Sequence, residues 1–213
     1  MIIIIRFSSV QGNGDPSSNS ISRCEASYSQ GGWPCSKAID GVLGTAWSYA
    51  DASKLPAWLV IHLDNTGSTN TIIIKTGWHR SDHHINDFSI EVKVGNNFEA
   101  VKVTKVNSAG ATIQGNKVKI GGQKGVRVAF EKKTGVSAVR INAYGSDAGN
   151  DNSVLNEIFV LNLENVDKDW SSDVDLILNS INTELATTTY TTTTATTTST
   201  TTPIPAGKPL LSL

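Results

Sequence analysis

Short apolar runs recur along this chain, and Gly, Asn or Ser bounds each of them. The clearest are Trp58-Leu59-Val60-Ile61-His62-Leu63, Thr71-Ile72-Ile73-Ile74-Lys75 and Phe88-Ser89-Ile90-Glu91-Val92-Lys93-Val94, the last with strict two-residue alternation. Such runs are what half-buried or fully buried β-strands require. The pattern continues through Val101-Lys102-Val103, Lys117-Val118-Lys119-Ile120, Val126-Arg127-Val128-Ala129-Phe130, Val139-Arg140-Ile141 and Ile158-Phe159-Val160-Leu161. No helix-length amphipathic segment lies between them, which argues against a parallel sheet with crossover helices. The spacing predicts an all-β fold of about eight strands, a sandwich or jelly roll.

The 213 residues suffice for one domain with a substantial core and some additional sequence. Net charge is -1, and the 18 Lys and Arg are scattered, which argues against a nucleic-acid partner or an electrostatically held membrane surface. No stretch reaches the ~18 apolar residues of a membrane span. The opening Ile2–Ile5 run is too short for the core of a secretory signal, so export is not legible there.

Residues 1–22 read as a lead-in rich in Ser, Asn and Gly, followed by the strand-bearing region 23–163. In 164–186 the residues Val174, Ile177, Leu178, Ile181 and Leu185 recur at helical spacing, which allows a short amphipathic helix. Residues 187–213 are dominated by threonine and end in a Pro-containing stretch. That composition buries too little apolar surface to offset ordering entropy, and reads as a disordered stalk, either O-glycosylated or bare. Cys24 and Cys35 flank a short loop with Gly31, Gly32 and Pro34. A local disulfide is expected, with two buried thiols as the alternative.

One segment carries unusual oxygen chemistry. In Ala38-Ile39-Asp40-Gly41-Val42-Leu43-Gly44-Thr45-Ala46-Trp47 the Asp-Gly pair permits a tight turn. Thr45 can then present its hydroxyl and carbonyl to the same centre as the Asp40 carboxylate. Calcium takes six to eight oxygens, so a second carboxylate must come from elsewhere, and Glu157 at the last strand is the candidate. The plainer alternative makes Asp40 an Asx-turn residue and Glu157 a solvated charge.

Taken together, Trp33-Pro34-Cys35-Ser36-Lys37-Ala38-Ile39-Asp40-Gly41, then Thr45-Ala46-Trp47, then Trp58 to Leu63, resemble the opening signature of the discoidin family, also termed coagulation factor V/VIII type C domains. Leu155-Asn156-Glu157-Ile158-Phe159-Val160 is similar to its closing strand. Three ordered motifs over about Cys24 to Leu163 are far more specific than one fingerprint. The resemblance implies an eight-stranded jelly roll and relatives among F-type lectins and family 32 carbohydrate-binding modules. It also implies a structural Ca2+ held by the carbonyls of Lys37, Val42 and Asn156, by Asp40, by Thr45 through carbonyl and hydroxyl, and by Glu157. One departure is His62-Leu63-Asp64, where the family often has Asp-Leu-Gly.

A second constellation is Trp78-His79-Arg80-Ser81-Asp82-His83-His84. Imidazoles, guanidinium and carboxylate beside an indole supply donors, acceptors and an apolar face, the needs of a sugar site. The segment is similar to the Asn-Arg-x-Asp stretch of F-type lectins, with Arg80 and Asp82 in place, His79 for the Asn and His84 near the second Arg. The resemblance thus implies ligand binding by His79, Arg80, Asp82 and His84. The alternatives are a solvated turn with an Arg80–Asp82 pair, and a zinc site built on His79, His83 and His84 near Asp82, against which no fourth ligand stands at diagnostic spacing. No nucleophile elbow, zinc-protease motif or phosphate loop occurs, so no enzyme is expected.

Trp47 and Trp58 read as structural. Trp33, with Tyr49 and Leu55, could instead form a surface spike of the kind membrane-binding relatives carry. The expected function is extracellular or cell-surface recognition of a galactose- or fucose-like terminal sugar. The alternative is cell adhesion to a protein or phospholipid surface, and oligomers would suit either.

Overall fold

In the computed structural model the described residues are 17–42, 44–49, 54–76, 85–107, 110–121, 125–146 and 154–163. The chain divides into two units, Met1–Asp175 and Leu176–Leu213, and every described residue lies in the first. Segments 164–186 and 187–213, with their expected helix and stalk, therefore fall outside the described residues.

The fold is all β. Its strands are β1 (Ser17–Ser18), β2 (Ile21–Ala26), β3 (Trp47–Ser48), β4 (Ala57–Thr76), β5 (Ile85–Val94), β6 (Asn97–Ala100), β7 (Val103–Val106), β8 (Thr112–Gln114), β9 (Lys117–Lys119), β10 (Gly125–Ser146) and β11 (Val154–Asn162). A 3-10 turn, Cys35–Ala38, precedes β3. All pairings are antiparallel.

Two long strands hold the jelly roll together. The expected separate strands at 58–63 and 71–75 are one strand, β4, and those at 126–130 and 139–141 are one strand, β10. Polar residues 64–70, between the two expected strands, stay extended because β10 runs alongside, with Thr69 opposite Lys133 and Gly67 opposite Val136. Register shifts between Ala129 and Ala138 bend β10 at that point. Bulges of this kind turn a strand from one layer into the next.

The first halves and second halves of β4 and β10 therefore belong to different layers. Residues 57–62 pair with 138–143, flanked by β2 and by β5. Residues 71–75 pair with 125–129, flanked by β11 and by β7. Eleven described strands replace the expected eight. The added ones, β1, β2, β3, β6 and β8, are short and carry no apolar run that a periodicity reading could detect.

Side chains at alternate positions meet between the layers. Leu59, Ile61, Ile90, Val92 and Ile141 of one layer join Ile72, Ile74, Val126, Val128, Ile158 and Val160 of the other in a single core. The continuous run at Ile72-Ile73-Ile74 has its own cause. Ile73, Arg127, Ala129 and Leu161 lie on the opposite side of their strands and are buried as well, so that stretch is buried on both faces.

β1 and β2 begin inside the stretch read as a lead-in. Ser17 and Ser18 pair with Asn162 and Leu161, and Ile21 with Leu63, so the first and last described strands lie side by side. Asn70 seals this end. Its side-chain amide donates to the Leu163 carbonyl (2.8 Å), and its Oδ1 accepts from the Leu163 N–H (2.9 Å).

Candidate functional site

The residues named from sequence as oxygen ligands converge. The 3-10 turn Cys35–Ala38 leads straight into Asp40-Gly41, where Gly41 has φ 73°. An L side chain is strained at that backbone angle, so the turn needs glycine. The turn aims the Gly41 N–H at Glu157 Oε2, 3.0 Å away, although the two residues are 116 positions apart. Glu157 is buried in β11, so it is not the solvated charge of the plainer alternative.

The Asp40 carboxylate accepts from the Val42 N–H at 2.9 Å, an Asx-turn contact. Both its oxygens lie 2.8 Å from the Thr45 hydroxyl. The same hydroxyl oxygen is 3.0 Å from the Val42 carbonyl and 3.4 Å from the Lys37 carbonyl. One hydroxyl carries one proton, so at most one of these four oxygens is satisfied by it. The cluster is richer in acceptors than in donors. Asn156 is brought to the same corner, its amide donating to the Thr45 carbonyl at 3.2 Å. The Lys37 ammonium stands at 3.4 Å from Asp40 Oδ2 on the more exposed side.

Electrostatics agree with the geometry. Burial and the Asp40 charge push the Glu157 carboxyl up to about 8, against the opposing pull of the Gly41 and Ile158 N–H groups and Lys75. Two carboxylates and several neutral oxygens beside a buried wall suit a hard cation with oxygen ligands. Among the described residues no group of three or more His, Cys, Asp and Glu comes together, and the residues of the zinc alternative, His79, Asp82, His83 and His84, lie outside them.

The disulfide supports this corner. Cys24 of β2 is bonded to Cys35, the first residue of the 3-10 turn, with Cα atoms 6.0 Å apart. It ties the start of the Asp40 segment to an edge strand, and a closed loop of this length contributes roughly 2–3 kcal/mol.

The second expected cluster, His79, Arg80, Asp82 and His84 with Trp78 and His83, lies outside the described residues. Its anchors do not. The segment 77–84 joins Thr76 to Ile85, and the Thr76 hydroxyl accepts from the Ile85 N–H at 3.0 Å while donating to the Val154 carbonyl at 2.7 Å. Thr76 also pairs with Leu155, and Lys75 with Glu157. Thus both ends of segment 77–84 and the Glu157 corner share one end of the sandwich. Sequence reasoning missed Thr76, whose only signal is a hydroxyl closing an otherwise apolar run.

Aromatic residues divide differently from expectation. Trp47 is fully buried, with its indole N–H donating to the Tyr28 carbonyl at 3.0 Å. Tyr49 is buried against it, ring centroids 5.4 Å apart, and so is no part of a surface spike. Leu55 packs on the core from a partly buried position. Trp33 and Trp58 are half-buried, which makes Trp58 less of a core residue than its run suggested.

A family model described as the F5/8 type C domain matches residues 18–158, a stretch holding both Asp40 and Glu157. The chain belongs to this family. Solved structures show the same F5/8 type C fold at low identity. An F5/8 type C domain of a Bacteroides fragilis protein is 18% identical with a TM-score of 0.52, covering 71% of this chain and 99% of that one. A Clostridium perfringens family 32 carbohydrate-binding module, in complex with GalNAc-β-1,3-galactose, is 15% identical with a TM-score of 0.52, covering 66% and 94%. A pectin-binding carbohydrate-binding module is 21% identical with a TM-score of 0.51, covering 67% and 91%. No curated protein matches this F5/8 type C chain. Among its described residues no helix is long and apolar enough to cross a membrane.

Proposed function

We propose that this F5/8 type C domain is a non-catalytic, extracellular or cell-surface carbohydrate-binding module, with a structural calcium ion in the Asp40–Glu157 corner. The observation that carries the reading is the shared end of the sandwich. Thr76 ties both anchors of the Arg80-bearing segment to the strand that supplies Glu157. Calcium would be held by Asp40 and Glu157, by the Lys37 and Val42 carbonyls, and by Thr45 and Asn156, with Lys37 turned outward. Its chemistry would be charge neutralisation, which would draw the Asp40 segment onto β11 and steady the end of the sandwich at Thr76. Kinship in fold to modules crystallised with galactose-containing sugar or described as pectin-binding supports a glycan as ligand.

Arg80 would donate paired hydrogen bonds to vicinal hydroxyls, Asp82 would accept from them, and His79 and His84 would add directional contacts. One such site is weak, on the order of millimolar to tens of micromolar, so useful binding needs several copies on one surface. The Arg80→Ala variant is expected to lose binding to beads bearing galactose- or fucose-terminated glycans by at least about tenfold. Trp33→Ala is expected to keep it. The reverse pattern would favour contact through the surface around the half-buried Trp33, hence adhesion to a protein or phospholipid surface.

A further inference from the structure

The other layer carries a separate polar surface. Phe88, Ile90, Val118, Ile141 and Ala143 point into the core, so the two-residue period turns Asp87, Ser89, Lys117, Lys119, Asn142 and Tyr144 outward. Tyr144 is 36% exposed, and its hydroxyl lies 3.0 Å from Ser89 Oγ, which is itself 3.2 Å from the Asn142 amide. So anchored, the ring holds the Lys117 ammonium 4.2 Å from its centroid. Lys119 follows on the same face of β9, about 7 Å further along the strand.

The β8–β9 hairpin places Gln114 opposite Lys117 and Thr112 opposite Lys119, while Asp87 of β5 faces Lys119 from the other side. These five side chains line a shallow cleft of about 130 Å³. Neither Lys117 nor Lys119 is in an ion pair among the described residues.

We infer that this cleft is a second glycan-binding surface, one that takes a carboxylate-bearing polysaccharide strand. Two ammonium groups on one wall meet the repeated carboxylates of a polyuronate, and the cation–π contact keeps one of them in place. Asp87 accepts from sugar hydroxyls, and the Gln114 amide and Thr112 hydroxyl complete a donor and acceptor set matched to an acidic sugar. Backbone and side-chain positions here come from β5, β8, β9 and β10, so the cleft is built without the Arg80 segment.

The test is affinity electrophoresis of the full chain through gels containing polygalacturonate, its methyl-esterified form, or dextran sulfate, at about 0.15 M salt. The wild-type protein is expected to be retarded by polygalacturonate and to run freely through the esterified polymer. Lys117→Gln/Lys119→Gln is expected to weaken the retardation about tenfold or more, and Tyr144→Ala several-fold, with melting temperatures confirming that both variants are folded. Retention of binding in the lysine variant overturns the inference. So does equal retardation by dextran sulfate, which would mean charge attraction without a site. Loss in Arg80→Ala with retention in the lysine variant would assign the polyuronate to the loop, overturning the second surface and leaving the first reading intact.

Discussion

Chelated wild-type protein is expected to lose stability as pH rises from 5 to 8, and Glu157→Gln is expected to abolish that loss. The sign follows from the carboxyl pushed up to about 8 in the folded protein, against an ordinary value of 4.5. A raised folded value means the folded state holds the proton more tightly than the unfolded chain. That stabilisation is complete below about pH 4.5 and disappears as pH climbs through about 8. Its size is on the order of 3–5 kcal/mol, from ~1.36 kcal/mol for each pH unit.

At the proposed site calcium would reverse the trend, because it would bind the ionised carboxylate. Its stabilising effect should therefore grow from pH 6 to 8, and binding at pH 7 should release about one proton. Urea unfolding at pH 5 and 8, with chelator and with calcium, measures the first. Calorimetry in two buffers of different ionisation heat measures the second. A wild-type protein whose chelated stability is flat over this range, or that calcium stabilises no more than it does Glu157→Gln, would remove Glu157 from the site.

Trp47→Ala is expected to lower unfolding free energy by about 3–5 kcal/mol, the range for deleting a buried Trp or Phe side chain. The indole is fully buried, its N–H is satisfied by Tyr28, and Tyr49 packs against it. Truncation opens a cavity and leaves the Tyr28 carbonyl without that donor. The effect should spread to the oxygen corner, because Trp47 follows Thr45 by two residues and pairs with Leu155, two residues before Glu157. Calcium affinity should fall together with stability, and Trp47→Phe should restore part of both. Chemical unfolding is the readout. A loss below about 1 kcal/mol would mean that the corner does not depend on this ring.

Much of the fold was legible because its strands obey simple alternation. Phe88, Ile90 and Val92 join the core and Glu91 falls on the other face, as the sequence period requires, while Ser89 on that other face is buried too. The joining of two expected strands into β4 was not legible, since Asp64 to Asn70 are turn-forming residues held extended by a partner that lies more than 60 residues away. Asp40, Gly41 and Thr45 could be grouped by their spacing, because a tight turn brings nearby residues together. Glu157, 116 positions beyond Gly41, could be named only as a candidate second carboxylate, which the family resemblance then supported, because no local spacing links the two. Thr76 and the Tyr144–Lys117 contact were invisible, for one is a single hydroxyl at a strand end and the other depends on strand order.

The most direct test is a glycan-array screen of the full chain, displayed multivalently, in calcium and in chelator. Selective binding to one family of terminal galactose- or fucose-type sugars, lost on chelation, is the expected result. A blank array from a folded protein that calcium demonstrably stabilises would contradict the carbohydrate-binding account and direct attention to phospholipid and protein surfaces.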